Sequence, residues 1–517
     1  MLDGQQPRRV VPRWRQSWVS ARTAEAWTQP PRAKHNFADE VTGKHLEFER
    51  TKTVPVAAEL MFLATEAGNS DIARTAASLI LEKVDRIGSK SLIQAAKRVF
   101  DGSNEDRLVA QGNDFIREAK KLLSIDFCNP VLLIDVAREL TAKGQEAAAL
   151  RYVKTAVGLA PQSRFVIRSA TRYYLHTGEH ELAHDLLRKS VLLRSDPWIQ
   201  ASEIAVATVR GRTSSIVKQT ISALNNEKVI PANKSELASA VGTVELLSGS
   251  EKKAKKLFQQ ALFQPNDNSL AQAEWAATRL RLVVNEAALQ TPFSFEANSN
   301  NAYRKLQLGD AIEHAKYWSE DEPFASRPLD TLCYLYSLEG KYIEAREAAE
   351  KAIKVDGGHS FSSNLNLLFT KIQSGDVDVA YTDLLRLGKH PEAKSHAIQL
   401  LANAGALAYA TGDLKLGSEF YQRAIQAARS RGEPHMEALA RAFYARAAEV
   451  AGDENSLAIV AEAAKNVERL PSPGAIHIVR TLVDIGRRNQ LDATASARVA
   501  KRRWAWDAAT NTLRAIE

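Results

Sequence analysis

The sequence predicts an all-α chain, an α-solenoid of about nine to eleven short helix hairpins, and three observations predict it. AKGQEAAALRYVKTAVGLAP (142–161) and LEGKYIEAREAAEKAIKVDG (338–357) share one skeleton, with Gly third, Ala eighth and fifteenth, a β-branched residue sixteenth, and a helix stopper, Pro161 or Gly357, last. The same interval recurs along the chain: Gly144, Gly340, Gly249 and Gly68 are each followed five and twelve residues later by Ala149 and Ala156, Ala345 and Ala352, Ala254 and Ala261, Ala73 and Ile80. The composition, 45% hydrophobic and 25% charged, is that of a chain able to bury a core.

Weaker copies follow Gly178 (Ala183, Ser190), Gly375 (Ala380, Leu387), Gly412 (Gly417, Ala424), Gly211 (Ile216, Ala223) and Gly452 (Leu457, Ala464). Each residue type has a cause. Glycine ends a first helix in a left-handed conformation that a side chain resists, and small residues two turns apart on the second helix let the pair approach closely. Seven residues before the glycine the first helix should also be small where the two cross, and Ala137, Gly242, Cys333, Gly405 and Ala445 stand there. Cys333 therefore reads as a packed small residue rather than a reactive thiol.

This pattern resembles the tetratricopeptide repeat (TPR), a 34-residue helix-turn-helix unit. The aromatic residue that the family carries two places after the glycine is kept at Tyr342, while His180, Leu414 and Val377 replace it elsewhere. The resemblance implies stacked hairpins whose first helices line a concave surface that binds another polypeptide.

Taken in order, residues 1–53 form a basic arm with Trp14, Trp18 and Trp27 and no repeat. Residues 54–290 form a first arc, with units starting near residues 54, 130, 164, 197 and 235; the interval from 54 to 130 has room for one further worn copy. Residues 291–301 read as an irregular break, because Pro292 and the run Asn298, Ser299, Asn300, Asn301 are loop formers. Residues 302–470 form a second arc, with units near 326, 361, 398 and 438. Residues 471–517, entered through LPSPG, read as helices covering the last exposed face, with a basic segment.

The net charge of +8 is concentrated at the ends. Residues 8–34 carry seven Arg/Lys against Glu25, and residues 487–503 carry six against Asp492, which leaves the remainder slightly acidic. Two distant cysteines build neither a disulfide framework nor a paired-cysteine metal site. MLDGQQPRRVV has no apolar core of a secretory signal, and no apolar run spans a bilayer, so a cytoplasmic protein with no membrane partner is expected. There is no phosphate-cradling GxxxxGK[ST], no dinucleotide-type GxGxxG and no GxSxG elbow, so no catalytic residue and no cofactor is expected.

HELAH (180–184) places His180 and His184 on one helix face, with Glu181 as a general base and Glu203 as an imaginable third ligand of a zinc hydrolase. The same residues open a repeat's second helix, with Ala183 as the packing residue, and that reading is preferred. The TPR resemblance implies groove-facing positions at Arg138 and Arg172, with Arg168 one turn earlier, able to take carboxylates or phosphates through forked hydrogen bonds. It likewise implies Asn366 and Asn403 as two rungs that could hold a peptide backbone. Arg8, Arg9, Arg13 and Arg15 with Trp14 and Trp18 combine charge and stacking surface, as single-stranded nucleic-acid binders do. Docking of a helix bearing Trp14 and Trp18 on the first repeat is the preferred alternative. The sequence therefore predicts a non-enzymatic scaffold binding a protein or peptide, with nucleic-acid association through the basic ends as the alternative and zinc hydrolysis as a remote one.

Overall fold

The structure, a computed structural model, describes residues 8–17, 37–66, 69–87, 90–101, 113–125, 128–225, 231–470, 472–495, 503–507 and 512–516. It is an all-α solenoid of stacked helix hairpins. The chain divides into two compact units, Met1–Tyr336 with Glu344–Asn364, and Ser337–Ile343 with Leu365–Glu517. No helix among the described residues is long and apolar enough to cross a membrane.

The first unit opens with α1 (Phe37–Thr51), α2 (Val54–Glu66), α3 (Ser70–Glu82), α4 (Lys90–Asp101) and α5 (Asn113–Ile125). It continues through α6 (Pro130–Ala142), α7 (Glu146–Leu159), α8 (Arg164–His176), α9 (His180–Lys189), α10 (Pro197–Val209), α11 (Val217–Asn225), α12 (Pro231–Leu247) and α13 (Glu251–Ala261). Then come α14 (Asp267–Leu280), α15 (Glu286–Leu289), α16 (Phe295–Arg304), α17 (Leu308–Asp321), α18 (Ser326–Leu338) and α19 (Tyr342–Asp356), the last two lying at the division between units. The remaining helices are α20 (Phe361–Gln373), α21 (Val377–Gly388), α22 (Ala397–Ala410), α23 (Leu414–Ser430), α24 (Pro434–Val450), α25 (Ser456–Arg469) and α26 (Pro473–Ala495).

Eight of the punctuating glycines, Gly144, Gly178, Gly211, Gly249, Gly340, Gly375, Gly412 and Gly452, have φ between 67° and 84°, the left-handed stop the pattern calls for. Gly68 lies outside the described residues. First helices begin at side-chain caps, Asn129 on α6, Ser163 on α8 and Asp196 on α10, with Pro130 and Pro197 in the first turn. Ala149, Ala156, Ala183, Ala254, Ala261, Ala345, Ala352, Ala380 and Ala424 are buried, as expected of the small second-helix positions. After Gly211 and Gly452 the expected register slips. There α11 and α25 start late, the core takes Thr220 and Leu224 on α11 and Ala463 on α25, and Leu457 is exposed.

Two segments differ from expectation. The stretch 291–301, read as a break, is largely α16: Ser299 donates to the carbonyl of Ala311 at 2.8 Å and Asn301 to Glu274 at 3.3 Å, so the polar run faces neighbouring helices instead of water. The hairpin of α16 and α17 has no glycine because Leu306 itself takes φ 62°, and Arg281 takes φ 48° at the end of α14. In the tail, residues 503–507 and 512–516 pair as an antiparallel two-stranded hairpin, Arg503 opposite Ile516, where helices were expected; alternation in RWAWD and TLRAI suits a strand.

Packing within the first unit sets up the site. The first helices α6, α8, α10, α12, α14 and α16 stack side by side, each also backed by a neighbouring hairpin. Residues 132–141 of α6 and 197–207 of α10 are buried on every face, polar ones included. A helix buried all round needs cover on its inner side as well as its outer side. Here the N-terminal residues supply it.

Candidate functional site: a groove filled by residues 8–17

Arg8–Gln16 have no helix or strand and run along the inner faces of the first helices, from α14 and α16 back to α6. The segment is part of the interior: Trp14 is 0%, Arg15 1% and Arg8 3% exposed. Its backbone is gripped by side chains. Gln272 donates to the carbonyl of Arg8 and Asn268 to that of Val11, both at 2.9 Å, and Arg138 Nε donates to that of Trp14 at 3.0 Å. Amides and guanidinium thus serve a strap of backbone that has no ladder of its own.

Three strap arginines meet four carboxylates. Arg8 forks onto Glu296 at 2.8 and 2.9 Å and also reaches Gln272 and Asn268. Arg13 pairs with Asp267 at 3.2 Å, Glu322 at 2.6 Å and Glu296. Arg15 bonds Asp321 and Asp267 at 2.7 and 2.8 Å. Burial pushes Glu296 up, but Arg327, Arg8 and Arg13 outweigh it and hold it well below the usual carboxylate range. Asp267 and Glu322 are likewise lowered against their burial, by Arg15 with Arg13 and by Arg13 with Arg172.

Trp14 fills a pocket made by Tyr173, edge-on at 6.0 Å, and Phe324 at 5.2 Å. Val10 packs with Ala201, Ile204, Leu237 and Ala238 of α10 and α12. At the far end Ser17 donates its N–H at 2.9 Å and its hydroxyl at 2.8 Å to Asp135 of α6. Burial pushes Asp135 up to about 7 despite those two bonds and Arg138 nearby.

The expected site residues fall out as follows. Arg138 faces the groove and holds the strap, besides pairing with Glu139 and donating to the carbonyl of Asp321. Arg172 meets Arg138 across one ring, their guanidiniums 5.2 and 5.8 Å from the centre of Phe324, and burial lowers its pKa. Arg168 is a correction: it is buried between α8, α10 and α12, bonded to the Trp198 carbonyl, Ser202 and Glu236, and stacked 4.9 Å from Trp198. Glu236 in turn orients Asn268, so Arg168 acts behind the groove wall. Asn366 on α20 and Asn403 on α22 are buried in the second unit.

Arg8, Arg13, Arg15 and Trp14, read as a nucleic-acid surface, are enclosed by carboxylates and aromatic rings, and Arg9 is half-buried with a donor on the Arg8 carbonyl. A polyanion would meet the same carboxylates, so this surface is not offered to one. Trp18 lies outside the described residues. A helix does dock on the first hairpin, but it is α1, through Val41 and Phe48, and Trp14 goes elsewhere. In HELAH, His180 is exposed, whereas His184 is buried with Nε2 3.1 Å from Glu203 and Nδ1 on Arg210. The two histidines thus have different surroundings, and Glu181 pairs with Arg210. Among the described residues no group of three His, Cys, Asp or Glu side chains could hold a metal ion.

Sequence reasoning missed the acidic wall. Asp267 on α14, Glu296 on α16 and the adjacent Asp321 and Glu322 at the end of α17 share no repeat spacing; the one trace was the acidic balance of the middle of the chain.

No family model matches the chain, and no curated protein matches it. Among solved structures it is similar to a chain in the crystal structure of the APC/C hetero-tetramer Cut9–Hcn1, with a TM-score of 0.31 and 13% identity, over 87% of this chain and 92% of that one.

Proposed function

We propose that this TPR-like repeat protein is a non-enzymatic protein–protein interaction scaffold whose first unit grips a stretched polypeptide along its inner face. The observation that carries the reading is the seating of residues 8–17: three carbonyls are held by Gln272, Asn268 and Arg138 regardless of side chain, and Arg and Trp pockets add selectivity. Backbone donors fix register while desolvated charge and an aromatic anchor supply orientation and affinity. For the second unit the same role is proposed for Asn366 and Asn403, which stand nine residues before Gly375 and Gly412 in consecutive repeats.

The test is amide hydrogen exchange on the full-length protein. Residues 8–17 should be protected by about 100-fold or more, because the seated backbone is buried from water and the Ser17 N–H is bonded to Asp135, and Asn268→Ala with Gln272→Ala should lower that protection about tenfold. Strap amides that exchange at the rate of free coil would refute the grip. Nucleic-acid binding through these arginines gains no support, because the forks of Arg8, Arg13 and Arg15 are engaged by carboxylates.

A further inference from the structure

We propose that residues 8–17 are a built-in competitor, and that the partner they exclude is a protein carrying a stretched segment with arginines at relative positions 0, 5 and 7 and an aromatic residue at position 6. This rests on the groove reading above and goes on to name what the groove takes.

The groove cannot stand empty at low cost. Removing the strap takes Arg8, Arg13 and Arg15 from Asp267, Glu296 and Glu322 and leaves Glu296 with Arg327 alone of its three guanidiniums, and gathered carboxylates stripped of their partners are strongly unfavourable. Release is therefore an exchange, in which whatever replaces the strap supplies guanidiniums at the same places. Lysine does not substitute, because Arg8 meets Glu296 with two parallel N–H groups and still reaches Gln272 and Asn268. The aromatic position follows from the pocket of Tyr173 and Phe324, which without Trp14 is a hole beside two stacked arginines, Arg138 and Arg172.

The two ends of the strap are held unequally. Arg8, Arg13 and Arg15 are locked by ion pairs, whereas Ser17 holds a buried carboxylate, Asp135, by hydrogen bonds alone. Peeling from the Ser17 end breaks the hydrogen bonds to Asp135 first, then the ion pairs of Arg15, and only then frees the Trp14 pocket, so an incoming chain seats one arginine and its own aromatic residue while Arg8 and Arg13 still hold the strap. The strap acts at the high effective concentration of a tethered ligand, which keeps weak competitors out.

The experiment uses full-length protein and a fluorescein-labelled peptide of residues 7–17, PRRVVPRWRQS, with a second peptide in which the positions of Arg8, Arg13 and Arg15 carry lysine. Arg13→Ala with Arg15→Ala in the full chain loosens the competitor, and the arginine peptide should bind that variant at least about tenfold more tightly than it binds the parent, as loss of a tethered rival requires. In the unmodified protein a millimolar excess of the arginine peptide should speed exchange of the strap amides, a readout that stands even where the variant fails to fold. The lysine peptide should do neither. Strap amides that stay protected under that excess, with a folded variant binding no better than the parent, would make the strap a permanent part of the wall and overturn the proposal. The protection that tests the grip itself would be untouched by that result. Equal binding of the lysine peptide would overturn the arginine rule.

Discussion

Gly405→Ala tests the packing logic of the repeat at one atom. Gly405 on α22 faces Gly417 on α23, and a Cβ on Gly405 would stand 2.6 Å from Tyr421 Cδ2, 2.9 Å from its Cε2 and 3.1 Å from the Gly417 carbonyl. Ordinary contact begins near 3.4 Å, so ring or helix must shift by about 0.8 Å. The ring has nowhere to go: it is buried and stacked on Tyr444 at 5.2 Å, with Tyr409 at 6.2 Å on another side. Alanine brings about 1 kcal/mol of helix propensity, against about 1–3 kcal/mol for overpacking a close-packed crossing. A net loss of about 1 kcal/mol, a fall of a few degrees in Tm, is expected. Gly309→Ala is the matched control, since Gly309 lies inside α17 with nothing within 4 Å of its added Cβ, and it should stabilise by up to about 1 kcal/mol. Melting followed by far-UV circular dichroism reads both. A Gly405→Ala protein that melts at or above the parent would refute the argument that the crossing requires a glycine.

Four further outcomes follow from the first unit. Glu296, Asp267 and Glu322 are held below their ordinary range, so the stability they contribute is present above about pH 4 and is lost as pH falls through their depressed values; strap protection should collapse below about pH 4. Asp135 works in the opposite sense, since its folded form keeps a proton to about pH 7 and stability declines as pH rises toward that value. Asp135→Asn should therefore be the more stable protein at pH 8, by roughly 4 kcal/mol at most, with the gain shrinking to roughly 2 kcal/mol or less at pH 5, as denaturant titration at the two pH values will read. Arg168→Ala strands Glu236 among α8, α10 and α12 and should cost about 3–5 kcal/mol by the same titration. His184→Ala should lower the melting temperature while metal analysis of parent and variant shows no stoichiometric zinc in either, because both ring nitrogens of His184 face protein groups.

The hairpin starts at residues 130, 164, 197, 326 and 361 were legible because a left-handed glycine followed at a set distance by the second helix is demanded by local geometry and leaves a fixed interval in the sequence. The hairpin of α16 and α17 was illegible for the complementary reason: Leu306 bears the left-handed strain that glycine avoids elsewhere, so the mark is missing while the fold is present. In the candidate site, Arg138 was found because it keeps a repeat register. Arg168 shares that face but is turned inward by Glu236, a residue 68 positions away. Docking of Trp14 was legible from its size, but its seat was not, and the arginines beside it look locally like a surface for polyanions. Their neutralising partners lie more than 250 positions downstream on three unrelated stretches, which no local pattern encodes.

The seating of Trp14 against Phe324 also dictates an order of assembly. During synthesis residues 8–17 leave the ribosome before the wall that receives them, which is unfinished until roughly three hundred more residues have been added, and hairpins made meanwhile can stack on their neighbours without waiting. The strap is thus the last of these contacts to close, and any chain stopped short of Phe324 displays an unclaimed arginine-rich segment that the completed wall conceals.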